Sequence, residues 1–197
     1  MGDTIYERRS IRKFTDEQVS KELIEQIIDA GRVSPSAKNR QPWRYIVLSG
    51  ESKAEFLEEM NNGIRREEME CALLPNSKEG IPDARNTLKI MAQAPVLIVV
   101  LNDNGKSPFE DIDTDGRIIE ICDILSIGAS VENMLLKATE LGLGTLWIAN
   151  TCYAYKELTE YLQTTYQLVS AIALGYADEA PSQRPRRSLG DIAEYRS

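Results

Sequence analysis

The stretch DGRIIEICDILSIGASVENMLLKATEL, Asp115 to Leu141, decides the fold class. Ile118, Ile121, Cys122, Leu125, Ala129, Val131, Met134, Leu135 and Ala138 recur largely at spacings of three and four, the period of an α-helix. The middle of the stretch is apolar nearly all round, which predicts a helix buried at the centre of the molecule. Small side chains at Gly128 and Ala129 would let a second helix approach closely, so this helix is also a candidate dimer axis. Ordinary packing within one chain satisfies the same pattern. Gly142-Leu143-Gly144 supplies a C-terminal cap and turn.

Towards the N-terminus, the loop from Asn102 to Thr114 carries Asn, Asp, Gly and Pro and is expected at the surface. Val96 to Leu101 is the clearest buried strand, and Asp83 to Gln93 before it reads as a helix that Pro95 ends. Residues 62–80 mix charge with Leu73-Leu74-Pro75 and are expected to form a mobile, partly helical excursion that walls a pocket. Gly50-Glu51 opens a charged helix to about Asn61, and Tyr45 to Ser49 is an apolar strand expected to be buried on both faces. Ser34 to Trp43, with two prolines and small polar residues, is an ordered loop. Ser20 caps a helix whose face is Leu23, Ile24, Ile27, Ile28 and Val33, and Asp3 or Thr4 caps a short helix running into Arg8.

Towards the C-terminus, Thr145 to Ala149 and Leu168 to Tyr176 are strands on either side of a helix from Ala154 to Gln163. The tail from Ala177 has too few apolar residues to form a layer, so it is expected to lie over another surface. The order is α-α-β-α-α-β-α-β-α-β. A long central helix does not suit a doubly wound sheet. No G-x-G-x-x-G joins a strand to a helix, and there is no P-loop, C-x-x-C or repeat. The expected class is α+β.

Two basic clusters stand out. Four of the six residues from Arg8 to Lys13 are cations, with Ser10 among them, and the tail carries Arg184-Pro185-Arg186-Arg187. Guanidinium groups grip phosphate bidentately and a hydroxyl adds a neutral donor. The clusters are expected to meet around one small phosphate group; a solvated face of arginines is the plainer alternative. The whole chain carries −8, with Lys+Arg 23 against Asp+Glu 31, which disfavours nucleic acid and anionic membrane as partners. With 197 residues, 42% of them hydrophobic, it reads as one soluble globular domain. Cys71, Cys122 and Cys152 lack metal-type spacing and read as reduced thiols of a cytoplasmic protein. There is no histidine, which removes His triads, His metal sites and the usual general base. No leader or membrane-spanning stretch is visible.

Taken together, the chain resembles the nitroreductase family of FMN-dependent oxidoreductases. The resemblance rests on an ordered set: Arg8-Arg9-Ser10-Ile11-Arg12-Lys13-Phe14, then Ser34-Pro35-Ser36-Ala37-Lys38-Asn39-Arg40-Gln41-Pro42-Trp43, then Gly128 to Asn133, then Gly142 to Ile148, then the tail arginines. It covers nearly the whole chain. It implies one FMN-binding domain over residues 1–197, with a mostly antiparallel central sheet flanked by helices. It further implies an intertwined homodimer in which residues 177–197 extend onto the partner, with residues 62–80 as a variable excursion. By this resemblance Arg8, Arg9, Ser10 and Arg12 bind the FMN phosphate and ribityl chain, and Arg184 and Arg186 close over the same phosphate. Pro35, Ser36, Ala37 and Asn39 form the loop that touches the other subunit's flavin. Trp147, Ile148, Ala149 and Asn150 pass the isoalloxazine, where a backbone N–H reaches toward N5.

The implied activity passes hydride from NADH or NADPH, through the flavin, to a small electron-poor acceptor such as a nitroaromatic or quinone. No side chain is assigned a chemical step, and no metal is implied. Dehalogenation, enoate reduction or flavin fragmentation on the same fold is the alternative, as is an FMN-binding protein without turnover. Arg12 or Lys13 is expected to stabilise the negative charge of reduced flavin. Trp43 and Trp147 are left between core packing and the flavin pocket. Ala149-Asn150 stands where many relatives have Gly or Glu-Gly, and Glu132 where many have Gln.

Overall fold

The computed structural model describes residues 4–69 and 71–196; the alternative cap Asp3 lies outside them. Ten elements come in the expected order: α1 Thr4–Glu7, α2 Lys21–Arg32, β1 Trp43–Ser49, α3 Gly50–Glu68, α4 Ile81–Gln93, β2 Val96–Asn102, α5 Thr114–Glu140, β3 Gly144–Ile148, α6 Tyr155–Tyr161 and β4 Gln167–Gly175. The strands form one antiparallel sheet in the order β1-β2-β4-β3. Every residue of β2 is buried. Its side chains alternate, as strand geometry requires. Leu97, Val99 and Leu101 join the core under α3, α4 and α6, while Val96, Ile98 and Val100 join the core under α2 and α5. The sheet is thus sandwiched between two helical layers.

The Ser20 hydroxyl accepts the Leu23 N–H and caps α2, as the sequence predicts. Leu23, Ile24, Ile27 and Ile28 face the core, but Val33 lies past the helix end and is exposed. Burial of both faces of β1 is not borne out. It is an edge strand paired only with β2; Ile46 packs on one core, Tyr45 on the other, and Val47 is exposed. Apolar composition reported its pleat and not its place in the sheet. Helix α3 runs seven residues past the expected end, to Glu68, because the buried Glu67 carboxylate ties down the turn beyond it. That carboxylate accepts the N–H groups of Leu73 at 3.0 Å and Leu74 at 2.9 Å. Arg66 beside it reaches Glu157 of α6 at 2.7 Å.

Helix α5 is central only in its second half, where Ile127, Val131, Met134, Leu135 and Ala138 are buried. In its first half Ile118, Ile119, Ile121, Ile124 and Leu125 are exposed on this chain. Among the described residues no helix is long and apolar enough to cross a membrane.

Strand pairing at the two ends of the chain positions the site. Ser10 bridges Thr145 in parallel and Ile11 N–H donates to Thr145 O at 2.9 Å, so residues 10–11 cover the outer edge of β3. Gly144 makes this approach possible: a Cβ there would stand 2.9 Å from Ile11 Cγ1. The chain then crosses to the exit of β4, where Phe14 pairs with Ala177, Thr15 N–H donates to Tyr176 O and Asp178 N–H donates to Lys13 O. Buried Ile11 and Phe14 fasten the segment, at about 1.5–3 kcal/mol each. The residues on either side of this seam, 8–12 and 178–187, are thereby neighbours.

Candidate functional site

Beside that seam lies a cavity of about 450 Å³ lined by Arg8, Arg9, Ser10, Arg12, Arg184 and Arg186, with Glu132 of α5 in its wall. The two basic clusters, remote in sequence, therefore share one concavity. Arg8 Nε is 3.1 Å from Glu132 Oε1. The other four guanidinium groups find no carboxylate within ion-pair distance among the described residues. Arg9 turns on the carbonyls of Tyr6 and Arg8, Arg12 donates to Ser10 O at 3.0 Å, and Arg186 donates to the carbonyls of Arg184 and Pro185 at 3.3 Å. Cations gathered without counter-ions in an acidic protein repel one another, and a bound anion relieves this. Ion pairing with the chain's many acids therefore does not account for these four among the described residues.

A second cavity of about 440 Å³ shares Arg8, Ser10 and Glu132 with the first and continues along Thr145, Trp147 and Ala149. Trp147 is 44% exposed and its Nε1–H donates to Ser170 Oγ at 3.0 Å. It is a pocket wall, whereas Trp43 is core. A third, polar cavity of about 270 Å³ lies past β3, lined by Arg12, Asn86, Trp147, Ile148, Ala149 and Asn150 among others. Asn150 is turned onto α4, where its amide donates to Asp83 Oδ2 at 2.8 Å and Thr87 Oγ1 at 3.0 Å. Arg12 lines both ends of this system, but Lys13 is exposed and lines none of it.

Ten of the fourteen residues singled out from sequence thus surround connected cavities. Pro35, Ser36, Ala37 and Asn39 do not. Their loop, with a 3₁₀ turn at Ala37–Asn39, lies against α5, where Ala37 N–H donates to Ser126 Oγ at 3.1 Å. Glu132 was visible in the sequence only as a departure from the pattern; its partner is Arg8. Asp83 and Thr87 carried no signal, since an acid and a hydroxyl four apart on a helix are ordinary surface residues. Cys152 is exposed on its outer side, yet burial of the sulfur pushes its thiol up, away from nucleophilic thiolate. Of the described residues in 62–80, Leu73 lines a separate cavity of about 430 Å³, with Phe109, Tyr155 and Tyr166. No group of acids and thiols suited to a metal ion occurs among the described residues.

Residues 5–176 match the family model described as the nitroreductase family. The chain belongs to the nitroreductase family. Nitroreductase relatives span most of its length. A protein of Methanothermobacter thermautotrophicus, provisionally named NADH dehydrogenase/NAD(P)H nitroreductase, is 32% identical over 92% of this chain and 80% of its own. The BluB-like flavoprotein of Clostridium difficile 630 superposes with a TM-score of 0.77 at 27% identity, covering 99% of this chain and 98% of that one. A provisionally named nitroreductase of Desulfovibrio desulfuricans, solved in complex with FMN, gives a TM-score of 0.71 at 26% identity, over 98% of this chain and 95% of the other. Membership of the nitroreductase family makes the protein an oxidoreductase.

Proposed function

We propose that the protein binds FMN in the connected cavities and uses it to pass hydride from NADH or NADPH to an electron-poor acceptor such as a nitroaromatic or quinone. The observation that carries this reading is the meeting of Arg9, Arg12, Arg184 and Arg186 in one cavity without carboxylate partners among the described residues. A phosphate dianion fits that donor set in charge and in hydrogen-bonding capacity. The adjoining cavity, walled by Trp147 and Ala149, suits the ring system. The D. desulfuricans relative solved with FMN and the NAD(P)H in the M. thermautotrophicus protein's name support the same cofactors.

FMN, when bound, supplies the centre that accepts and returns hydride. The chain supplies position and charge. Arg8, Arg9, Ser10, Arg184 and Arg186 hold the phosphate and ribityl end, and Arg12 places positive charge between that end and the ring cavity. Trp147, Ile148, Ala149 and Asn150 border the ring, with Asn150 fixed by Asp83 and Thr87. Pro35, Ser36, Ala37 and Asn39 serve the flavin of a second copy. Their distance from their own chain's cavities supports this, as does the exposed apolar side of α5. Leu189, Ile192 and Tyr195, exposed on the tail, would cover the partner.

The test is the visible spectrum of the purified protein and its oxidation of NADH and NADPH with nitrobenzene or menadione. The expected protein is yellow, binds one FMN per chain and turns over with at least one nucleotide. A colourless protein that takes up no added FMN overturns the reading. Bound flavin that stays oxidised with both nucleotides limits it to FMN binding.

A further inference from the structure

The loop before β1 is held by a buried charge that neither the cavities nor the sheet account for. Asp123 of α5 is fully buried. Its Oδ1 accepts from Arg40 Nε at 2.8 Å and Arg40 Nη2 at 2.7 Å, and its Oδ2 has no donor among the described residues. The carboxylate is therefore committed to Arg40 alone. One turn further along α5, Ser126 Oγ accepts the Ala37 N–H and donates to Cys122 O. Between and beside these anchors Lys38, Asn39 and Gln41 all take left-handed backbone conformations, with φ of 54°, 54° and 52°. Side chains other than Gly rarely hold such conformations unless surroundings impose them. Asp123 also belongs to the N-terminal half of α5, where Ile119, Ile124 and Leu125 are exposed on this chain.

We propose that Asp123, with Ser126, is a positioning residue: through Arg40 it locks the loop carrying Pro35 to Asn39 in the form that meets the flavin of a second copy. This rests on the proposed FMN binding. A buried carboxylate spent on one surface-loop arginine adds little net stability, since desolvation offsets the attraction. What it fixes is the direction of the loop. Arg40 and Asp123 then act as one unit, and their removals do not add.

The experiment is a double-mutant cycle of Arg40→Gln and Asp123→Asn, read by FMN titration of the apoprotein and by the visible circular dichroism of bound flavin, with light scattering for the dimer. Each single variant is expected to stay dimeric, raise the FMN Kd about tenfold and change the flavin dichroism. The double variant is expected to be no worse than either single one. An unchanged Kd and dichroism in Asp123→Asn overturns the proposal, as do losses that multiply in the double variant or a dimer that falls apart. If Asp123→Asn does not fold, Ser126→Ala and Arg40→Gln form the pair; wild-type FMN affinity and dichroism in both then overturn it. A wild-type protein that binds no FMN overturns the parent reading and this one together; wild-type binding with unaffected variants overturns this one alone.

Discussion

Arg184 and Arg186 offer the cavity donors that no carboxylate among the described residues neutralises. A hydrogen bond to a charged group contributes about 1.5–3 kcal/mol, so Arg184→Ala or Arg186→Ala should raise the FMN Kd roughly 10- to 100-fold. Fluorescence titration of the apoprotein measures this, and the loss should shrink as salt rises, because screening weakens the wild-type contact. Glu132 acts in the opposite sense. Its carboxylate occupies Arg8 at 3.1 Å and faces both cavities. Glu132→Gln should therefore tighten FMN binding by about threefold at low salt, as expected for releasing a half-exposed pair worth about 0–1 kcal/mol. A weaker-binding Glu132→Gln protein would mean that the carboxylate holds Arg8 in its working position. Sequence exposed both arginine clusters and the odd glutamate. It could not pair Glu132 with Arg8, because 124 residues separate them.

At the scale of elements, close helix packing depends on one small residue. A Cβ on Gly63 of α3 would lie 2.3 Å from Ala154 Cβ and 2.4 Å from Ala154 Cα, at the 3₁₀ turn Asn150–Ala154 that follows β3. Backbone has to move to admit it. Gly63→Ala should cost about 1–3 kcal/mol despite the better helix propensity of Ala, seen as a lower Tm in thermal unfolding. The helix between Gly50 and Glu68 was legible from charge and spacing only to Asn61. Its last two turns depend on Glu67 accepting backbone donors from Leu73 and Leu74 and on Arg66 reaching Glu157. Those partners belong to other segments, so no local pattern announces them. The same holds for β1, whose apolar run looks identical at a sheet's centre and at its edge.

For the whole molecule, the question is what covers α5. Five large aliphatic side chains between Ile118 and Leu125 are exposed on one helix, and Leu125 is 69% exposed. An apolar stripe of this kind marks an interface. Leu125→Glu should yield a monomer by light scattering, and the monomer should lose FMN, since the loop carrying Pro35 to Asn39 would no longer reach a second site. A monomer that keeps its flavin would place the whole cofactor site within one chain.

The sequence by itself determined the order of the ten elements, the long helix that excludes a doubly wound sheet, and the presence of two basic clusters. Each of these is written in neighbouring residues, as a period of 3.6 or 2 or as local charge. Tertiary structure alone decided that the clusters meet, through Ser10 beside Thr145 and Phe14 beside Ala177. It also decided that four of their arginines find no carboxylate among the described residues, that β1 is an edge, and that Asp123 is buried against Arg40. Those outcomes depend on which distant segments share a face, and the free energy of such contacts is absent from any short window of the chain.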